Sequence, residues 1–318
     1  MATFICDISA FEYWFGERTS VRPPRALAAV GSFQHASSSW RDLPINQLGK
    51  LGLLSVPDKP LHLAVPEPRK MCHTRGLVTH LRNNPPPGTF VRLSRDVYIE
   101  SPLAALIRLD RKSLTDGELV KRLYQLVAAF YLCDGKTVAC EPLASMEDIH
   151  RFLAGATGMR GIKRVRALLP FVAPGAASMR ECEVVTLLTL PPSIGGRGLP
   201  VPVLNHRIEP CRSAADIVRY ADFFWAVARL ILEYDSDKFH TGAEKIGLDA
   251  LRRTQLQVEG YRVVTLTNYQ LKHKAAYEDV LSELTRALGI SAPATTVLDF
   301  DEREAKLRRE VLGFDWIE

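Results

Sequence analysis

The spacing of hydrophobic and polar positions predicts a chain of short elements in its first half. "FICDISAFEYWF" reads as a strand followed by a turn of helix, and "PLHLAVPEP" as a short strand closed by prolines. Between them "SVRPPRALAAVGSFQHASSSW", rich in Pro, Ser and Ala, reads as loop. Two strand-like runs follow, Thr89–Leu93 and Asp96–Ile99. Ser101-Pro102 then opens a helix, with proline at the first helical position. In "TDGELVKRLYQLVAAFYL" the apolar residues Leu119, Leu123, Leu126, Val127 and Phe130 recur at a helical period. "SMEDIHRFLAGA" starts with Ser145 and carries Asp148 three residues later, a capping-box-like start.

The pattern changes after "VAPGAAS", a linker or loop around residues 172–178. Helical and strand-like runs alternate from there. "SMRECEVVTLLTL" predicts an apolar helix, "VLNHRIEP" a strand, and "IVRYADFFWAVARLILEYDS" a β-hairpin with its turn near Ala226–Arg229. "EKIGLDALRRTQLQVEG" predicts a helix, "YRVVTLT" a strand and "YQLKHKAAYEDVLSELTRALG" another helix. The tail "DFDEREAKLRREVLGFDW" reads as a charged helix lying on the surface. No internal repeat or low-complexity tract interrupts this order.

At 318 residues the chain has room for two domains, at about 100–200 residues each. The division expected is an α+β N-terminal domain over 1–172, an α/β domain over 173–290 and a helical tail over 291–318. With 47% hydrophobic and 24% charged residues the composition is that of a globular protein. No apolar run reaches the roughly 18 residues of a membrane span. The start "MATFICDISAFEYWF" lacks a basic region before an apolar core, so it does not read as a signal peptide. Six scattered cysteines without a CxxC pair argue against a zinc site or disulfide scaffold and fit a reducing cytoplasm. The formal charge of +5 permits nucleic-acid binding without establishing it. Arg160, Lys163, Arg164 and Arg166 concentrate in one segment, either a solvated helix face or a phosphate-contacting patch.

The chemistry concentrates in "RLILEYDSDKFH". An aliphatic run there ends in Glu233, Asp235, Asp237, Lys238 and His240. Burying like charges unpaired costs several kcal/mol, on the order of the penalty for any unpaired buried ion. A divalent cation offsets that cost. Antiparallel pairing across the expected hairpin brings Asp222 to the Glu233 region, and Glu233 and Asp235, two apart, share a strand face. Oxygen ligands so grouped suit Mg²⁺ or Mn²⁺. Plainer readings stand beside this one: Asp222 as a turn cap, Glu233 paired with Arg252 or Arg253, and His240 as a surface histidine. The remaining histidines (His35, His62, His73, His80, His150, His206 and His273) show no ligand spacing and read as unrelated to metal.

Residues 176–290 resemble the PD-(D/E)XK nuclease superfamily, most closely its very-short-patch-repair-like endonuclease branch. The matching residues are Asp222, then Glu233, Asp235 and His240 in "EYDSDKFH", then Asp249, Arg252, Leu256 and Gly260 in "DALRRTQLQVEG". Upstream, Ser178 and Glu181 in "SMRE" match an S-x-x-E on the first helix. Two positions depart from the pattern: Ser236 replaces a glycine, and Asp235 holds the superfamily's lysine position. The first 170 residues resemble, more faintly, the part in front of such domains in bacterial abortive-infection AbiEi-like proteins, through "PLHLAVP" and "VYIESPLAALIRL".

The resemblance implies a restriction-endonuclease-like mixed sheet flanked by helices and a bacterial, cytoplasmic protein that hydrolyses phosphodiester bonds, with DNA as substrate. Asp222, Glu233 and the backbone carbonyl of Tyr234 would bind Mg²⁺ (or Mn²⁺), Asp235 would help hold the ion, and Glu181 would orient the nucleophile. His240 is the candidate proton shuttle. Arg252 and the Arg160–Arg166 segment would neutralise phosphate. The alternative is a non-catalytic DNA-binding or antitoxin-type regulator with a cognate toxin or defence partner.

Overall fold

The computed structural model describes residues 2–16, 33–54, 59–110, 112–133, 136–208, 219–235, 253–291 and 298–317. The elements begin with β1 (Thr3–Ile5), α1 (Asp7–Phe15), α2 (Ile45–Lys50), β2 (Leu61–Val65), β3 (His73–Thr74) and β4 (Leu77–Leu81). Next come β5 (Phe90–Arg92), β6 (Val97–Glu100), α3 (Pro102–Arg108), α4 (Asp116–Leu126), β7 (Phe130–Cys133), β8 (Lys136–Ala139), α5 (Met146–Gly155) and α6 (Ile162–Leu168). The second half holds α7 (Met179–Thr189), β9 (Val203–Ile208), β10 (Arg219–Trp225) and β11 (Leu230–Asp235). A helix over 253–258, here α8, leads to β12 (Arg262–Thr267), α9 (Asn268–Lys272), α10 (Lys274–Leu288) and α11 (Phe300–Leu312). The fold is α/β, with two mixed sheets and a two-stranded ribbon. Two compact units share it: Met1–Thr115 with Tyr131–Pro170, and Asp116–Phe130 with Phe171–Glu318. The helical period read through Phe130 ends at Leu126, and Phe130–Cys133 pairs with Lys136–Ala139 instead.

The first unit is built on a six-stranded sheet of order β3-β4-β2-β1-β6-β5. β1 lies inside it, antiparallel to β2 and parallel to β6, and β2 runs parallel to β4. Every residue of β2 and β6 is buried, as for strands covered on both faces. Phe4 anchors the core, stacked on Tyr98 at 4.8 Å and edge-on to Phe33 and Phe90 at 4.9 and 5.1 Å. Gly161, the N-cap of α6, takes a φ of 94°, and a Cβ there would stand 1.9 Å from the Ile107 carbonyl oxygen. Only glycine fits that approach. Ser145 and Asp148 form the capping box expected at the start of α5.

The second unit carries a four-stranded sheet of order β12-β11-β10-β9. β9, β10 and β11 are antiparallel neighbours, and β12 returns parallel to β11. The hairpin turn falls at 226–229, where Arg229 N donates to the Ala226 carbonyl. Phe224, Ile231 and Leu256 of α8 form a core cluster with Ala221 and Ile208.

The tail helix corrects the sequence expectation, because α11 is not a surface element. Phe300, Glu304, Leu307, Arg308 and Val311 are all buried along it, a helical stripe with two charged members. Glu304 accepts from Arg197 Nε at 2.9 Å, and the Arg308 guanidinium lies 3.4 Å from the Trp316 ring centroid. These partners are what allow charged side chains into the core.

Candidate functional site

Two of the carboxylates singled out by the sequence, Asp222 and Glu233, stand level on adjacent strands of the second sheet. The β10–β11 pairs, Phe223 with Leu232 and Phe224 with Ile231, set a register in which Asp222 stands opposite Glu233. In the parallel ladder Glu233 is level with Thr265, whose hydroxyl accepts from Arg253 of α8 at 3.1 Å. Asp222 is half-buried and turns one oxygen to the neighbouring strand, where Tyr234 N donates to Oδ2 at 2.8 Å. An extended residue sends its N–H and C=O to the same side, so the Tyr234 carbonyl also faces β10. Glu233, Tyr234 and Asp235 are half-buried at the end of β11.

Glu181 reaches this level through Asn205. The β9–β10 ladder pairs residues 219–221 and 223–224 of β10 but skips Asp222 and Asn205, and Asn205 takes a φ of 46°. Its amide donates to Glu181 Oε2 at 2.5 Å and to the Gly175 carbonyl at 3.1 Å. The S-x-x-E spacing has a local cause as well. Ser178 caps α7 by accepting from Glu181 N, and its hydroxyl donates back to Glu181 Oε1 at 2.8 Å. Ala177 N donates to Oε2 at 2.8 Å. Burial raises the Glu181 pKa, and these donors offset part of that rise.

The four acids do not draw together as closely as a shared three-ligand cage requires. Among the described residues, no three of Glu181, Asp222, Glu233 and Asp235 bring ligand atoms within 4.8 Å of one another. His240 and Arg252 lie outside the described residues. Of the basic segment, Arg160, Lys163 and Arg166 are exposed and Arg164 is half-buried. Arg164 donates to the Leu114 carbonyl at 2.6 Å, and Arg166 donates to the Leu153 carbonyl in the last turn of α5. Two of the four thus tie the first unit together, and Arg160 and Lys163 keep the phosphate-contact reading.

A second constellation, in the first unit, brings together two of the histidines that the sequence reads as unrelated to metal. His62 on β2 and His80 on β4 stack with ring centroids 5.0 Å apart, and His62 Nδ1 meets His80 Nε2 at 2.8 Å. His80 Nδ1 lies 3.7 Å from Asp7 Oδ2. Asp7, His62 and His80 each bring one ligand atom within 4.8 Å of the other two. Arg82 donates to the same Asp7 oxygen at 3.2 Å and to Glu100 Oε1 at 2.9 Å, and Asp7 N donates to Glu100 Oε2 at 2.8 Å. Burial lowers both histidine pKa values, that of His80 to about 4, with Asp7 acting in the opposite sense. The chain signal was weak. The two histidines stand 18 residues apart, on strands whose parallel pairing sets Ala64 level with His80.

Among the described residues no helix is long and apolar enough to cross a membrane. No family model matches the chain, and no solved structure matches it. Two Mycobacterium tuberculosis proteins resemble it: uncharacterized protein Rv2248 of strain H37Rv and uncharacterized protein MT2308 of strain CDC 1551. Each is 31% identical over 119 residues, 37% of this chain and 41% of the relative. The match therefore spans about two fifths of the length of those curated relatives.

Proposed function

We propose that the second unit is a restriction-endonuclease-like domain that hydrolyses phosphodiester bonds in DNA with Mg²⁺ or Mn²⁺. The observation that carries this reading is the register that sets Asp222 opposite Glu233 on adjacent strands of a mixed sheet. The donor set is all oxygen, as a hard cation requires, and Mg²⁺ keeps several waters, so two carboxylates and a carbonyl are enough to hold it. Asp222, Glu233 and the Tyr234 carbonyl would be its ligands. When bound, the ion would polarise the scissile phosphate and lower the pKa of the attacking water.

The chain's own groups take the remaining roles. Asp235, half-buried at the end of β11, would orient a water beside the phosphate. Glu181, held by Ser178, Ala177 and Asn205, would act through its fixed position. Arg160 and Lys163 would supply phosphate contacts, and His240 and Arg252 keep the proton-shuttle and phosphate-neutralising roles inferred from the sequence.

One observation favours the alternative, a non-catalytic DNA-binding or antitoxin-type regulator. Glu181 already accepts from three donors, a local structural duty that needs no chemistry. Purified protein incubated with plasmid and linear DNA in Mg²⁺ or Mn²⁺ separates the two. Cleavage is expected from wild type, and Glu233→Gln should abolish it with the circular-dichroism spectrum unchanged. Wild-type protein that binds DNA but leaves it intact in both metals would establish the regulator instead.

A further inference from the structure

We propose that Asp7, His62 and His80 form a binding site for a divalent transition ion, Zn²⁺ by its donor set, in the first unit. The site shares no residue with the carboxylates of the second unit and does not rest on the nuclease reading. Three separate elements deliver its ligands: the first residue of α1, the second of β2 and the fourth of β4. Their ligand atoms already lie within 4.8 Å of one another. Two imidazoles and one carboxylate make a borderline donor set that prefers Zn²⁺ and its neighbours to Mg²⁺, and three protein ligands leave a coordination position open.

The surroundings carry both signs of charge and hold the ligands in place. Arg82 is positive and touches Asp7, but Glu100 pairs with it, so the Asp7 carboxylate is not the sole partner of that charge. Arg108 also acts electrostatically on Asp7, His73 on His80 and Glu12 on His62. Glu100 also fixes the backbone of Asp7, and His62 N donates to Ser9 Oγ at 3.0 Å, so both ligands are held from behind. The Asp7 and His80 side chains are 20% and 26% exposed, which gives an ion a route in from solvent.

Without an ion, the facing nitrogens of His62 and His80 share one proton in an N–H···N bond, since a neutral imidazole offers one donor and one acceptor. Their 2.8 Å separation is shorter than the gap between two ligands on one ion. Two nitrogens at the usual Zn–N distance in tetrahedral geometry are roughly 3.3 Å apart. Loading therefore requires the rings to part by about half an ångström, and the ring that donates moves its proton to its other nitrogen, so that both facing nitrogens present lone pairs.

The test is a titration of the chelator-treated full-length protein with Zn²⁺ alone, followed by calorimetry and repeated with Co²⁺ to read its visible absorption. One equivalent is expected to bind at micromolar or tighter concentration. Excess Mg²⁺ should not displace it. His62→Gln and His80→Gln should each weaken binding by more than the ~10–100-fold typical of losing only a supporting contact. His150→Gln, at an exposed position of the same unit, should leave it unchanged. In ¹⁵N spectra of wild type, Zn²⁺ should move the ring-nitrogen resonances of two histidines, a readout that stands even if a variant fails to fold. Wild type that binds no Zn²⁺, or folded His62→Gln and His80→Gln proteins that bind it like wild type, would overturn the site.

Discussion

Glu100 shows how much one buried carboxylate can decide. It is fully buried at the end of β6 and accepts from Arg82 Nε and Asp7 N, while its own carbonyl accepts from Trp14 Nε1 at 2.7 Å. Burial raises its pKa, and Arg82 is the strongest opposing influence. Glu100→Gln keeps the volume but leaves Arg82, itself 8% exposed, without its buried counter-charge. Removing one partner of such a pair costs about 3–5 kcal/mol. The variant should therefore unfold at a lower urea midpoint with an unchanged slope. A midpoint equal to that of wild type would mean that the pair contributes no net stability. The sequence did not disclose this residue. "VYIES" reads as an ordinary strand, and nothing local distinguishes a glutamate facing Arg82, 18 residues away, from one facing water.

At the scale of elements, local rules were legible wherever the cause is local. The Ser145–Asp148 spacing predicted a capping box, and the structure has both of its bonds: Ser145 Oγ accepts from Asp148 N at 3.1 Å, and Asp148 Oδ2 accepts from Ser145 N at 3.3 Å. The Ser145 hydroxyl leads the causes that lower the Asp148 pKa. A depressed carboxyl contributes stability above its unfolded pKa and loses it as pH falls through the folded value. Ser145→Ala should thus cost about 1 kcal/mol at neutral pH. Its deficit relative to wild type should shrink below pH ~3.9, the ordinary aspartate value, as Asp148 protonates. A deficit constant from pH 7 to 3 would mean that the carboxylate takes no part in the cap. The hairpin turn at 226–229 was legible for a similar reason, since apolar runs on both sides leave one place to reverse. The skipped pair at Asp222 and Asn205 was not, because a left-handed asparagine inside a strand leaves the apolar pattern unchanged.

At the scale of the whole molecule, the second unit gathers segments from distant parts of the chain, and the charged tail is one of them. α11 packs on α4 and α7, and Arg197 joins it to α10 by donating to both Glu304 and Glu278. Composition hid this role, because a stripe that includes Glu304 and Arg308 reads as solvated until its partners, far away in sequence, are known. The two carboxylates differ in burial. The Glu304 side chain is 3% exposed and that of Glu278 is 42% exposed. Burial pushes the Glu304 carboxyl up, and Arg197 pulls it only partly back. Arg197→Leu should therefore strand Glu304 and cost about 3–5 kcal/mol, whereas Glu278 can turn to water. Adding Glu304→Leu removes the stranded charge, and replacing both members of a buried pair by apolar side chains is often near neutral. The double variant should accordingly regain most of the urea midpoint lost by Arg197→Leu. If instead the two losses simply add, the pair is uncoupled, and the tail helix is held by its apolar stripe of Phe300, Leu307 and Val311 and by its other contacts, such as Arg308 on Trp316.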